Sequence, residues 1–383
     1  MNFQPLKDFL DYYLPMLGVP GSDTIIYKDH KEIFRYQSGF DSLRFRSPVR
    51  PDALYNIYSC TRVATIVAVM QLIERGEILV TDPLYAFIPE FRDARVAVKD
   101  EKGNIIDTRA ANAPITIKHL LTMTSGINYN HESQAISDVV SSTLGKAPTL
   151  DVCRAIAAEP LDADPGERYI NGFSHDILGG VIELVSGMRL SEYMDKNIFQ
   201  PLGMKDTAFH ISTADFSRLA SQYDYDKDSR EIKDIPAHVC RYRFGTEYDS
   251  AGEGLVSSAE DYVLLADALA NGGVGKSGYR IISEYALDLM SHNMLSGESL
   301  LEFSRGHNTG YGFGYGIRVN TDPTEIGNLA PIGEMSADGE SLCYFSADRK
   351  SRVAVFHAEH MGGLHQVVIP RLRNLIYSSI GRF

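Results

Sequence analysis

No stretch of the 383-residue sequence approaches the roughly eighteen consecutive apolar residues that a membrane-spanning helix needs. The N-terminal segment MNFQPLKDFLDYYLPML sets Lys7, Asp8 and Asp11 among its apolar positions, so the unbroken apolar core of a signal peptide is missing and an amphipathic surface helix is expected instead. A soluble, cytoplasmic protein without membrane partners follows as the expectation. Basic residues are the scarcer charge: 37 Lys and Arg stand against 50 Asp and Glu, a formal charge of -13. That balance repels phosphate backbones and excludes nucleic acid and anionic membrane surfaces as expected partners. Cysteine is sparse as well. Cys60, Cys153, Cys240 and Cys343 lie far apart with no CxxC pair, which excludes a zinc ribbon or dithiol redox site and predicts free, buried thiols. The chain has no internal repeat, low-complexity tract or evident linker.

What is present is an ordinary globular composition, 44% hydrophobic. Residues 23 to 40 read as two strands around the turn Lys28-Asp29-His30-Lys31. After Ser59, the apolar residues Val63, Ile66, Val67, Met70 and Ile73 recur at helical spacing, and Gly76 stands at a helix stop. Helices are expected over Ile117 to Thr124, Ala135 to Thr143, Leu150 to Ala158, Ser174 to Ser186, Leu190 to Phe199 and Ala259 to Ala270. Strand-like alternation returns in Tyr311 to Asn320, Ser341 to Ser346 and Arg352 to His357, and an apolar helix closes the chain near Val367 to Ile380. The expected fold class is α/β (α+β). An antiparallel sheet from residues 1 to 81 and 301 to 383 is flanked by the terminal helices, a mainly helical lobe over residues 82 to 300 is inserted, and the active-site cleft lies between them.

Ser59 opens the best-defined helix directly after the strand-like run LYNIY, where backbone N–H groups and the positive end of the helix dipole lie beside its hydroxyl. Taken alone, a serine at a helix start is usually an N-cap. Arg62 alters the balance: it lies three residues on, on the same helix face, in a first turn where a cation opposes the dipole. This is the layout of the S-x-x-K motif. Cys60 points about 100° away from Ser59, so only one of the two faces a cleft.

The run YNIYSCTRVATIVAVMQLIERGEILVTDPLYAFIPEF resembles the nucleophile segment of the class C β-lactamases, penicillin-binding proteins and related esterases, which usually reads S-x-T-K at this point. PITIKHLLTMTSGI, PGERYINGFSHDILGGVIELVSGMRLSEYMDKNIFQPLGMKDTAF and AGEGLVSSAEDYVLLADALANGG are similar to the group in the expected order, so the resemblance spans roughly residues 20 to 360. It implies a β-lactamase/transpeptidase-like fold and acyl transfer through an acyl-Ser59 intermediate on a small-molecule ester, amide or peptide, with no cofactor and no metal. Tyr169-Ile170-Asn171 matches the group's Y-x-N motif. By resemblance Tyr169 is the base toward the serine and then the acid toward the leaving group, while Asn171 takes the place of the asparagine that holds the substrate amide or the motif lysine. The third motif, K-T-G, H-x-G or W-x-G elsewhere, aligns with Ala337-Asp338-Gly339, where only the glycine survives. Gly339 allows close approach of a substrate, and the Glu340 N–H is expected to join that of Ser59 in an oxyanion hole.

Two departures bear on activity. Arginine keeps its proton, so Arg62 is no general base; its expected part is to lower the Tyr169 pKa and support an attenuated reaction. Asp338 places a negative charge in the cleft, which disfavours anionic β-lactams. The alternative function is a weak or inactive ligand-binding homologue of the same fold. Three other signals are set aside. ANGGVGKS at 270 to 277 follows a helix rather than a strand, unlike a P-loop. His357-Ala358-Glu359-His360 lacks metal-site spacing, and Tyr311 to Gly316 suits a strand with close backbone neighbours.

Overall fold

The computed structural model describes residues 1–226, 228–229, 231–235 and 242–381. Its centre is an eight-stranded antiparallel sheet drawn from both ends of the chain. The strands are β1 (Gly21–Lys28), β2 (Lys31–Ser42), β3 (Ser47–Pro48), β4 (Tyr311–Phe313), β5 (Arg318–Asn320), β6 (Met335–Asp338), β7 (Tyr344–Asp348) and β8 (Val353–Glu359). Their order is β4-β5-β6-β7-β8-β1-β2-β3, so β1 pairs on one side with its hairpin partner and on the other with the last strand. Asp29 and His30 turn the first hairpin, both with positive φ, as a two-residue hairpin loop that matches strand twist requires.

Side chains alternate across a strand, and both faces of the central strands are covered. Ile26 and Val355 pack with Leu6, Leu10, Val368 and Leu372 of the terminal helices. Ile25 and Phe356 face the larger core, where Tyr262 and Ala266 of a helix over Ala259–Ala270 lie against them. Burial of both faces explains why β8 is apolar or enclosed at every position. The expected N-terminal amphipathic helix is present over residues 4–16 as helical turns that bury Leu6, Phe9, Leu10 and Leu14 and expose Tyr12 and Met16.

Helix α1 (Thr61–Glu74) is enclosed over nearly its whole length and packs against α2 (Ser174–Ser186). Arg75 and left-handed Gly76 end α1 where the sequence pattern stops. The helices expected between residues 117 and 270 are all present within a few residues of their predicted ends, the Ile117 segment closing early at Leu121.

Several strand expectations need correction. Tyr311 to Asn320 is two strands, β4 and β5, folded on each other through Gly314, whose added Cβ would lie 1.9 Å from the Met290 carbonyl oxygen. The segment expected from Ser341 starts as a strand only at Tyr344, because Gly339 to Leu342 forms a turn with Leu342 left-handed. The middle of the chain also carries hairpins that helical patterning concealed: Arg95–Lys99 with Ile105–Ala110, and Gln222–Tyr225 with Ile232–Ile235. A third pairing matters most for the site. Leu54–Asn56, the strand-like run before Ser59, pairs with Val256–Ser258.

Cys60, Cys153 and Cys343 are free and buried, as expected; Cys240 lies outside the described residues. The ANGGVGKS stretch is the glycine stop of the Ala259–Ala270 helix and a turn, with Gly272 and Gly273 left-handed. His357 bonds Glu359 and Thr24, while His360 bonds the Ser221 carbonyl, and no group of three potential metal ligands occurs among the described residues. No helix among those residues is long and apolar enough to cross a membrane.

Candidate active site

The short Leu54–Asn56 ladder determines what stands next to Ser59. Asn56 pairs with Val256, and the Ile57 N–H donates to the Leu255 carbonyl at 3.1 Å. The strands are antiparallel, so three residues after Asn56 and three residues before Val256 meet: Ser59 and Glu253. Tyr58, at φ 46, makes a left-handed kink that leads into the one-turn 3-10 helix Tyr58–Cys60 ahead of α1. A non-glycine residue held in that conformation stores strain, of a kind that clusters at functional sites. Ser59 lines a cleft of 410 Å³ beside Arg62, Tyr169, Asn171, Glu253 and Asp338. Cys60 turns into the core with its sulfur against the Ala337 and Cys343 carbonyls, and burial pushes its thiol far above the usual range.

The Ser59 hydroxyl donates to Glu253 Oε1 at 2.6 Å. Arg62 Nη2 donates to the same oxygen at 2.7 Å and to the Tyr129 hydroxyl at 3.0 Å, and the Tyr129 hydroxyl donates to Glu253 Oε1 at 3.3 Å. Glu253 is 3% exposed, and its second oxygen has no hydrogen-bond partner. Burial raises the Glu253 pKa above the ordinary carboxylate value, with Arg62 and the Ser59 hydroxyl pulling the other way. Burial works against the charge of Arg62, but Tyr129 and Glu253 outweigh it and the guanidinium stays protonated. The Tyr129 phenol is itself pushed far up by burial, so the anion facing Arg62 is Glu253.

The loop carrying Glu253 is held from behind. Asp176 of α2 accepts from Tyr248, Ser250 and the Gly252 N–H, while Thr61 and Thr65 of α1 bond the Leu255 N–H and the Ala251 carbonyl. Two elements of the larger core therefore fix the carboxylate against the serine.

Neither Glu253 nor Tyr129 was singled out from the sequence. A signal was available for the first, since an arginine on the inner face of an apolar helix requires a buried anion.

Tyr169 stands on another wall of the cleft, its ring edge-on to Phe303 and Phe313. Its phenol is raised: burial dominates, and the opposing influence of Arg62 is too small to reverse it. Arg62 thus lowers the Tyr169 pKa as expected, but burial outweighs it. Asn171, two residues on, is exposed at the cleft.

The third motif sits at the end of β6. Asp338 pairs with Arg318 of β5 at 2.6 Å and with His307 at 3.2 Å. Burial would push its carboxyl up, yet Arg318, followed by His307 and His365, holds it well below the usual carboxylate range. The negative charge expected at Asp338 is present, and the Arg318 guanidinium offsets it inside the cleft. Gly339 permits a close approach, but to the protein itself, since a Cβ there would lie 2.3 Å from the Ile57 carbonyl oxygen. The contact seats Glu340 beside the Ser59 turn, at the edge of the same cleft, with its carboxylate accepting from Tyr242 at 2.9 Å.

Residues 6–362 match the family model described as beta-lactamase. The chain belongs to the beta-lactamase family. Within the family's reach, it is 30% identical to Protein Rv1367c of Mycobacterium tuberculosis over 86% of this chain and 82% of that protein. It is 28% identical to Esterase EstB of Burkholderia gladioli over 83% of this chain and 80% of EstB. The fold superposes with a TM-score of 0.76 on EstCE1, described as a hydrolase with promiscuous acyltransferase activity, over 96% of each chain at 21% identity. Sequence relatives of this beta-lactamase family chain thus include an esterase, and its fold is that of the β-lactamases and transpeptidases.

Proposed function

We propose that this chain is a serine hydrolase that transfers the acyl group of a small carboxylic ester or amide to water, or to another acceptor, through an acyl-Ser59 intermediate. The observation that carries the reading is the 2.6 Å hydrogen bond from the Ser59 hydroxyl to a buried carboxylate, inside a cleft that also holds Tyr169 and Asn171. Ser59 Oγ attacks the carbonyl carbon. On this reading the oxyanion is assigned to the Ser59 and Glu340 amides, on either side of the close packing of Gly339 against the Ile57 carbonyl. Tyr169, kept a neutral phenol, and Asn171 line the same cleft, and on the same reading they are assigned the hydrogen bonds to the leaving group. The name of Esterase EstB makes an ester the first substrate to test.

The competing reading is a ligand-binding homologue, and the arginine in place of the motif lysine is what favours it. A fluorophosphonate probe separates the two. Labelling of wild type that is lost in Ser59→Ala supports the hydrolase; absence of labelling from pH 5 to 10 leaves the binding module.

A further inference from the structure

The site holds a carboxylate where the family motif would lead one to seek an amine. We infer that Glu253 is the general base that takes the Ser59 proton, with Arg62 as the fixed cation that orients it; this rests on the hydrolase reading above. Three observations converge. Oε1 of Glu253 is the hydrogen-bond acceptor of the nucleophile itself, at 2.6 Å, which is the reach a base needs. Arg62, on the face of α1 that a lysine would occupy in S-x-x-K, cannot surrender a proton and instead anchors that same oxygen at 2.7 Å. The carboxylate is enclosed, its Oε2 unpartnered, and burial raises its affinity for a proton. The charged or titratable groups acting on it are Arg62, Ser59, Asp176, Glu340 and Tyr129. Tyr169 has the opposite credentials, being a phenol that burial keeps protonated.

In acylation the Ser59 O–H proton passes to Glu253 Oε1 as Oγ bonds the carbonyl carbon. The same proton then moves to the leaving oxygen or nitrogen as its bond to that carbon breaks. In deacylation water gives a proton to Glu253 while its oxygen bonds the acyl carbon, and the proton returns to Ser59 Oγ as the acyl–Oγ bond breaks. Arg62 remains a cation throughout, so the pair replaces a proton-carrying amine with a proton-carrying acid held in place by a permanent charge.

The test measures kcat/KM for p-nitrophenyl acetate across pH in wild type, Glu253→Gln, the double variant Arg62→Met/Glu253→Gln, and Tyr169→Phe, with melting temperatures alongside. General-base loss lowers the rate by about 10²–10⁴-fold, so Glu253→Gln is expected to fall by at least about 100-fold and to lose the acid limb of the wild-type profile. The double variant, which leaves no unpaired buried charge, stays equally slow if Glu253 is the base. Recovery of the wild-type rate in the double variant would reduce Glu253 to a counter-ion and overturn the inference. So would a Glu253→Gln rate within about threefold of wild type, the acid limb intact. Either result leaves the hydrolase reading standing as long as fluorophosphonate labels Ser59, whereas an unlabelled wild type overturns both.

Discussion

Two arginine–carboxylate pairs face one cleft, and their environments give the carboxylates opposite characters. At Arg318–Asp338, one oxygen meets the guanidinium and the other meets His307, so the charge is balanced and the proton is held off well below the usual range. At Arg62–Glu253 a single oxygen receives the guanidinium, the phenol of Tyr129 and the serine hydroxyl, the second oxygen has none, and burial raises the proton affinity. The same two functional groups make a structural clamp in one place and a proton acceptor in the other. Burial raises both carboxyls, and the surrounding charges decide the outcome: Arg318, His307 and His365 act on Asp338, while Asp176 and Glu340 work against Arg62 at Glu253.

The widest separation between the pairs is expected in activity. Ser59→Ala abolishes ester turnover and probe labelling, whereas Asp338→Asn keeps labelling at Ser59. Mass spectrometry of the labelled peptide reads both. Stability shows the reverse ordering. Removing one partner of a buried pair costs about 3 kcal/mol, so Asp338→Ala lowers the unfolding free energy obtained from urea titration by that amount and leaves Arg318 uncompensated. Acid sharpens the contrast. The depressed Asp338 pKa gives stability that is present above the unfolded carboxylate value of about 3.9 and is lost as pH falls through the folded value. The raised Glu253 pKa acts with opposite sign, favouring the fold below the unfolded value and losing that contribution as pH rises through the folded one. Urea titrations at pH 3 and pH 6 resolve the two slopes once Asp338→Asn and Glu253→Gln are compared with wild type.

A smaller effect is expected on the leaving-group side. Tyr169→Phe lowers kcat/KM by about tenfold, well short of the loss at Glu253. Smaller still is Arg62→Lys. An attenuated site lacking its lysine would gain a large factor from the substitution, while a carboxylate base keeps its rate within about threefold because either cation holds Glu253. Steady-state kinetics distinguishes these outcomes.

Much of the cleft was legible in the chain. Ser59, Arg62, Tyr169 and Asn171 stand in short local motifs, and Ser59 and Tyr169 follow turns whose chemistry is local as well. The central sheet was foreseen as terminal segments joined, because its strands alternate or run apolar. Glu253 escaped since its partner is 191 residues away and its own surroundings, Gly252 and Gly254, read as a turn. The partners of Asp338 escaped for a related reason: Arg318, His307 and His365 reach it only through sheet pairing and helix docking. The hairpin at 95 to 110 was missed because its strands carry charges on exposed faces and lack a clean alternation.

The Leu54–Asn56 ladder makes the spacing between nucleophile and carboxylate a matter of counting. One residue along a strand is about 3.3 Å, longer than the whole Ser59–Glu253 hydrogen bond. Adding or deleting a single residue between Asn56 and Ser59, or between Glu253 and Val256, therefore disconnects the two groups even if every atom of both survives. Loops elsewhere can lengthen without touching this interval, provided Asp176, Thr61 and Thr65 keep their hold on the Glu253 loop.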